Sequence, residues 1–403
     1  IIEYFYLFTI VYFSFYTFVN MKLDTLDFTQ LLEDYSHFKV SSLRGRYLKE
    51  EDLIKEFKAI SHKFKINNEG YSEEDRIISS FHLGQGSRKI LIWSQMHGNE
   101  TTTTKAVLDL LNFFSLYKDI TDSIFELCSF VIIPVLNPDG AVRYTRANAN
   151  LVDLNRDASS RTQLESQLLN RVYTEFQPDF CFNMHDQRTI FSAGTNPFPA
   201  TVSFLSPSFN EERELNVTRK KSMSLIASAS LMLEKFIPNQ IGRYDDSFNL
   251  NFIGDFFQAQ GTPTILFEAG HFPNDYAREE TRKYIFLALL KMVQDICLDV
   301  EDQLIDVYFE IPENKKLFND VIVRNVKSED STIKDIVIQY KEVVEDEHIN
   351  FVPFIEKIEK NIPFFAHREI NADGQSLILE KHFPLKVGDV LSSFKVNDNV
   401  FVI

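Results

Sequence analysis

The apolar positions of this chain fall into short, continuous runs separated by stretches with helical periodicity. Residues 90–93 (ILIW) read as a buried strand, and residues 105–114 then repeat apolar side chains at the 3.6-residue period through Ala106, Leu110 and Phe114. Residues 130–136 (FVIIPVL) are too continuously apolar for a half-exposed strand and predict the interior of a sheet covered on both faces. The alternation continues with a helix over 162–176, a strand over 180–184 (FCFNM), a long helix over 211–236, a strand over 263–267 (PTILF) and a helix over 276–298. Ile285, Leu289 and Met292 form the apolar stripe of that last helix. Upstream, residues 48–64 predict a helix and 77–83 alternate as a strand does. A long stretch without periodicity, 188–209, reads as a rim or lid. Strand, helix, strand, helix, strand is the signature of an α/β layer fold, whose functional loops gather at the carboxyl ends of the strands.

Beyond about residue 304 the texture changes to short alternating runs (321–323, 336–340, 351–355) broken by polar turns, which predicts a small β-rich domain over 304–403. The main domain then covers 21–303. Residues 1–20 (IIEYFYLFTIVYFSFYTFVN) are apolar and aromatic but have no leading Lys or Arg and no small-residue cleavage site. Two readings stand: translated upstream sequence ahead of Met21, which is preferred, or a membrane anchor.

Bulk numbers narrow the function. Of 403 residues, 44% are hydrophobic and 25% charged, as in an ordinary soluble globular protein. The net charge of −16 repels phosphate backbones and disfavours nucleic acid as a partner. Cys128, Cys181 and Cys297 are odd in number and sit in apolar runs, so they read as reduced core residues and favour a cytoplasmic location; membrane association is expected only if residues 1–20 are native. His62 and His82 belong to framing elements, where surface or packing roles are expected, and the scattered His348, His367 and His382 are expected at the surface.

The candidate chemistry lies past the strand ends. His97 and Glu100 follow the first buried strand, separated by Gly98, which is expected to let the chain turn sharply. A lone His-x-x-Glu arises by chance roughly once in a chain of this size. His185, delivered by the 180–184 strand, changes the picture, because two His and one carboxylate are a ligand set for catalytic zinc with a fourth position left for water. The strand at 130–136 ends in Asn137-Pro138-Asp139-Gly140, a turn signal, followed by a loop rich in Arg and Asn. There Asn155 and Arg156 offer donors suited to a carboxylate, Arg146 offers another fixed positive charge, and Asp153 can accept from the outer nitrogen of a metal-bound His. Glu268 ends an apolar strand; partly desolvated, such a carboxylate suits a base that takes a proton from water and returns it to a leaving amine.

In order along the chain, His97-Gly-Asn-Glu100, Asn137-Pro-Asp-Gly140, Arg146, Asp153-Leu-Asn155-Arg156, His185 and Glu268 resemble the zinc carboxypeptidases, over roughly residues 70–300. Gly70 to Arg76 (GYSEEDR) is similar to that family's entry into its first strands. The resemblance implies an α/β fold with a mixed, twisted sheet and helices on both faces, and one Zn2+ bound by His97, Glu100 and His185. It also implies orientation of a ligand by Asp153, oxyanion stabilisation by Arg146, a grip on the substrate carboxylate by Asn155 and Arg156, and Glu268 as base. The short interval from Arg146 to Asn155 is like that of the bacterial and cytosolic branch. The family's substrate-capping Tyr has no fixed counterpart, although Tyr244 falls near the expected place, and Ile253 and Asp255 fall in the region of the side-chain pocket. The expected activity is removal of C-terminal residues from peptides. Two alternatives remain: a deacylase of N-acyl amino acids, similar to succinylglutamate desuccinylases and aspartoacylases, and a catalytically silent protein that binds carboxylated ligands. In each case the partner is a peptide or N-acyl amino acid with a free carboxylate.

Overall fold

The structure, a computed structural model, describes residues 23–299, 304–379, 384–396 and 399–403. The two readings of residues 1–20 and the expectation for His382 lie outside the described residues. Among the described residues no helix is long and apolar enough to cross a membrane.

The main sheet has eight strands: β1 (Lys65–Tyr71), β2 (Ile77–Gly84), β3 (Arg88–Ser94), β4 (Cys128–Ile133), β5 (Phe180–Asp186), β7 (Val202–Leu205), β8 (Ile241–Arg243) and β9 (Thr264–Ala269). A short β6 (Phe191–Ala193) stands apart from it. The spatial order is β1-β2-β4-β3-β5-β9-β7-β8. Its centre, β4-β3-β5-β9, is parallel, and antiparallel neighbours flank it on both sides. The sheet is therefore mixed, as the resemblance implies.

Side-chain alternation shows why these strands are apolar throughout. Ile90 and Ile92 enter one buried cluster with the helices Thr102–Leu116, Val217–Leu233 and Glu279–Leu298. Leu91 and Trp93 enter another, with Leu168, Leu169 and Phe257 from the helices Leu164–Phe176 and Ile253–Ala259. Phe130 and Ile132 against Val131 and Ile133 repeat the division on β4. Each fully buried aliphatic or aromatic side chain contributes about 1.5–3 kcal/mol, so a strand packed on both faces is held twice over. Trp93 meets Phe257 edge-on at 5.6 Å, and Tyr173 stacks on the same ring at 4.0 Å.

Several expectations need correction. Residues 188–209 contain β6 and β7 rather than one long loop; β7 pairs antiparallel with β9. At three and four residues, these strands are too short to show a period. Asn137 to Gly140 starts a helix, Pro138–Arg143: Asn137 caps it by accepting from the Gly140 amide at 2.8 Å, and Pro138 takes the first turn, where a missing N–H costs nothing. The long helix predicted over 211–236 is Val217–Leu233, capped by Asn216. The cysteines are free and buried, as expected.

The C-terminal part is β-rich, as expected. β11 (Phe318–Lys327), β12 (Ile333–Glu345), β13 (His348–Glu359) and β14 (Phe365–Asn371) form a sheet in the order β13-β12-β11-β14, and β15 (Ser393–Val396) pairs with β16 (Asn399–Val402). Before them β10 (Asn314–Lys316) pairs with β6, so the chain leaving the main sheet is fastened to the segment that follows His185. His367, expected at the surface, is half-buried. Its ring stacks on Phe318 at 4.8 Å and lies 4.0 Å from that of His271.

Candidate active site

The parallel strands β3, β5 and β9 are neighbours, and their carboxyl ends deliver the candidate residues side by side. His97 follows β3, and His185 lies near the end of β5. Glu268, near the end of β9, is the ladder partner of His185. Strand adjacency therefore brings together residues separated by more than eighty positions in the chain.

His97, Glu100 and His185 converge, with one ligand atom from each lying within 4.8 Å of the others, and all three side chains are buried. The two His Nδ1 atoms are 3.1 Å apart; Glu100 Oε1 lies 2.8 Å from Nδ1 of His97, and Oε2 lies 2.8 Å from Nδ1 of His185. Two imidazole nitrogens and a carboxylate at such distances require a shared positive charge between them, either a proton or a metal ion. The donor set favours the metal. His97 Nε2 lies 2.9 Å from Asp153 Oδ1, an acceptor only when ionised, so Nε2 carries the ring proton and leaves Nδ1 free to ligate. Burial opposes charge at His97, but the Glu100 carboxylate and the Asp153 hydrogen bond hold its pKa above the usual imidazole value. Burial lowers the pKa of His185. For Glu100 the opposing pull of burial is overcome by the two His, which hold the carboxyl well below its usual range. Two nitrogens and one carboxylate oxygen with room for a further ligand suit a catalytic zinc site.

Gly98 lies in the turn expected of it, closed by the Glu100 amide donating to the His97 carbonyl at 3.1 Å, without a left-handed backbone. It is needed for space. A Cβ there would lie 1.9 Å from the carbonyl carbon of Gly140, so the loop carrying His97 and Glu100 rests directly on the start of helix Pro138–Arg143.

The remaining candidates surround one cavity of about 600 Å3. Arg146 bridges Glu100 at 3.3 Å and Asp153 at 3.0 Å, with its side chain half exposed. Asn155 and Arg156 also line the cavity; Asn155 Oδ1 accepts from the Ile253 amide at 3.2 Å, and the Arg156 guanidinium lies over the Phe252 ring at 3.8 Å. Asp255 lies on the same wall, accepting from the amides of Ser208 and Asn249, and burial raises its carboxyl to about 7. Tyr244 lines the cavity too, its hydroxyl donating to Gln187 Oε1 at 2.8 Å. The Glu268 carboxylate lines it with no hydrogen-bond or ion-pair partner among the described residues. Burial, then the charges of Glu100 and Asp186, push its pKa well above the usual carboxylate range.

Other residues that build the site were not singled out in the sequence. Asp186 accepts from the amides of Thr102 and Thr103 at 2.9 and 3.1 Å, capping the helix that follows the His97 loop. Buried Arg278 donates to the carbonyls of Ala269 and Gln187, joining the ends of β9 and β5. An acid directly after His185 was the available signal for the first; Arg278 had none. Asp139 lies outside the site and holds the 72–76 turn through Ser72, the Glu74 amide and Arg76.

A family description, zinc carboxypeptidase, matches residues 51–220, a segment containing all three residues of the converging set. Over those residues this chain is similar to the zinc carboxypeptidases. Relatives agree with this over short stretches. Probable carboxypeptidase 2 of Arthroderma benhamiae is 26% identical over 135 residues, which is 32% of this chain and 25% of that one. Carboxypeptidase 2 of Trichophyton rubrum is 28% identical over 110 residues, covering 27% of this chain and 20% of its own length. This chain thus matches a quarter or less of the length of these relatives. In fold, this chain is similar to bovine thrombin-activatable fibrinolysis inhibitor in complex with tick carboxypeptidase inhibitor, with a TM-score of 0.52 and 14% identity over 63% of this chain and 98% of that one.

Proposed function

We propose that this chain is a zinc-dependent hydrolase that removes the C-terminal residue of peptides by attack of water on the last amide. The observation that carries this reading is the position of Glu268: it neighbours His185 in the ladder, has an unpaired carboxylate, and faces the cavity shared with Arg146, Asn155 and Arg156. In the proposed assignment His97, Glu100 and His185 hold zinc, and Asp153 fixes the His97 ring. Zinc so held supplies Lewis-acid polarisation and a water of lowered pKa.

The chain's own residues supply the rest. Asn155 and Arg156 bind the substrate's terminal carboxylate, the guanidinium being suited to a planar bidentate partner. That contact sets the scissile amide beside Arg146, which stabilises negative charge developing on its oxygen. Glu268 takes a proton from the attacking water and delivers it to the departing amine nitrogen; apolar surroundings that disfavour its charged form improve it as a base. Tyr244, held on Gln187, bounds the substrate on the remaining side.

Glu268→Gln keeps the shape and removes the base. Zinc content should remain at one ion per chain, while kcat falls by about 10²–10⁴. Normal hydrolysis by the zinc-loaded variant would refute the assignment. A second reading, deacylation of N-acyl amino acids, uses the same residues and is favoured by one observation: part of the cavity wall comes from the C-terminal sheet. A peptide library assayed beside N-acyl amino acids separates the two. Binding without turnover by the zinc-loaded protein would favour a silent carboxylate-binding role.

A further inference from the structure

The cavity is not built by the main domain alone. Tyr340 and Glu342, both on β12 of the C-terminal sheet, line it together with Arg46 and Tyr144. Glu342 is the centre of that group: its Oε1 pairs with the Arg46 guanidinium and its Oε2 accepts from the Tyr144 hydroxyl at 2.6 Å. Both partners are buried, so the carboxylate is locked rather than mobile. Burial opposes its charge, but Arg46 and the Tyr144 hydrogen bond hold its pKa below the usual range.

Tyr340 is equally fixed. Its amide donates to Asp320 Oδ2 at 2.7 Å, and Asp320 Oδ1 accepts from the Tyr276 hydroxyl at 2.8 Å. The Tyr340 ring meets that of Tyr276 edge-on at 5.1 Å. Below this contact, the chain after His185 is clamped to the C-terminal part: β6 pairs with β10, the Phe318 amide donates to the Ile190 carbonyl, and Asn314 donates to Gln187 Oε1, the atom that also holds Tyr244. Such a wall lacks the few contacts and exposed backbone bonds of a lid that opens.

A cavity of about 600 Å3 lies within the roughly 300–1,000 Å3 that enclose a small ligand. With the terminal carboxylate on Asn155 and Arg156 and the scissile amide at Arg146, the part of the substrate that precedes that amide shares the cavity with Tyr340 and Glu342. An extended peptide advances about 3.3 Å per residue, so a fixed wall is met within a few residues.

On the reading of a C-terminal hydrolase given above, we propose that the β12 segment carrying Tyr340 and Glu342 is the specificity-determining wall of the cleft, restricting substrates to N-acyl amino acids and peptides of two or three residues. Tyr340 supplies an apolar face for the residue or acyl group preceding the scissile bond. Neutralised Glu342 adds no free charge to repel it.

The test is a length series with one C-terminal residue, from an acetylated amino acid through dipeptide and tripeptide to a decapeptide, on the full zinc-loaded chain. The kcat/KM of the shortest substrates should exceed that of the decapeptide by at least about tenfold, and Tyr340→Ala should reduce that ratio to within about threefold. Tyr340→Leu, which keeps an apolar contact for Tyr276, serves if the Ala variant does not fold. Equal turnover at all lengths by the unmodified chain, or an unchanged ratio in a folded Tyr340 variant, would overturn the proposal. The same series read as dissociation constants in zinc-loaded Glu268→Gln must weaken with length. If no substrate of any length is hydrolysed while that trend persists, the catalytic reading fails and the wall stands; if binding is independent of length, the wall fails.

Discussion

Replacing Gly98 by Ala should disturb the metal centre without touching a ligand. A methyl group there would sit 1.9 Å from Gly140 C and 2.3 Å from both Gly140 O and Ala141 N, whereas real Cβ contacts essentially never fall under 3.0 Å. All three atoms are backbone, so no side chain can swing aside. Both surfaces are also pinned: Gln95 Nε2 donates to the Gly98 carbonyl at 2.8 Å, and Asn137 joins the two segments through the Met96 carbonyl and the Gly140 amide. Forcing an extra carbon into a packed site costs about 1–3 kcal/mol, and rigid neighbours favour the upper end. That cost can be met in two ways. If the loop stays in place, the metal-free protein loses stability by the full amount. If the loop relaxes by moving away, His97 and Glu100 leave their positions and metal binding must draw them back, weakening zinc affinity by about 5–150-fold for the same energy. Urea denaturation of the metal-free chain and a chelator competition titration measure the two losses, whose sum should reach at least about 1 kcal/mol. Both quantities unchanged within about 0.5 kcal/mol, the usual scatter for an inert surface substitution, would refute the close approach and the need for glycine here.

Two other outcomes follow from contacts around the site. Asp153→Ala removes the acceptor at His97 Nε2 and an ion partner of Arg146, so zinc should bind about 10–100-fold more weakly by chelator competition, and unchanged affinity would remove Asp153 from its positioning role. His367 has its pKa lowered by burial to about 4 from an ordinary 6.5, so the unfolded chain takes up the proton first and stability falls as pH drops from 6.5 towards 4. Allowing for partial exposure, the loss at pH 5 relative to pH 7 should be about 1–2 kcal/mol, measured by urea midpoints; His367→Phe should remove this part of the slope, and equal acid sensitivity would refute the account.

The parts of this protein legible in its sequence are those whose signal is local. A strand packed on both faces must be apolar throughout, so β3, β4, β5 and β9 stand out, and with them the residues just past their ends. His97, Glu100, His185 and Glu268 share one cavity for that reason. The obscured parts depend on distant partners. β7 finds its place only because β9 offers an edge, and four residues cannot announce that pairing. The need for Gly98 to be small was hidden because the residue opposing it is forty-two positions away. Arg278 satisfies two carbonyls at strand ends, and Glu342 answers an arginine from the opposite end of the chain. The Asn137–Gly140 motif was read as punctuation, although its cap and proline equally describe the first turn of a helix.

The register between β5 and β9 has a consequence for how this centre can vary. Because His185 and Glu268 are paired rungs, their separation is inherited from the roughly 4.8 Å interval common to all sheets, not from the lengths of the segments joining them. Insertions or deletions in those connections can therefore accumulate without retuning the distance between His185 and Glu268. A slip of one residue on either strand, by contrast, would turn one of the pair to the opposite face and abolish the centre in a single step.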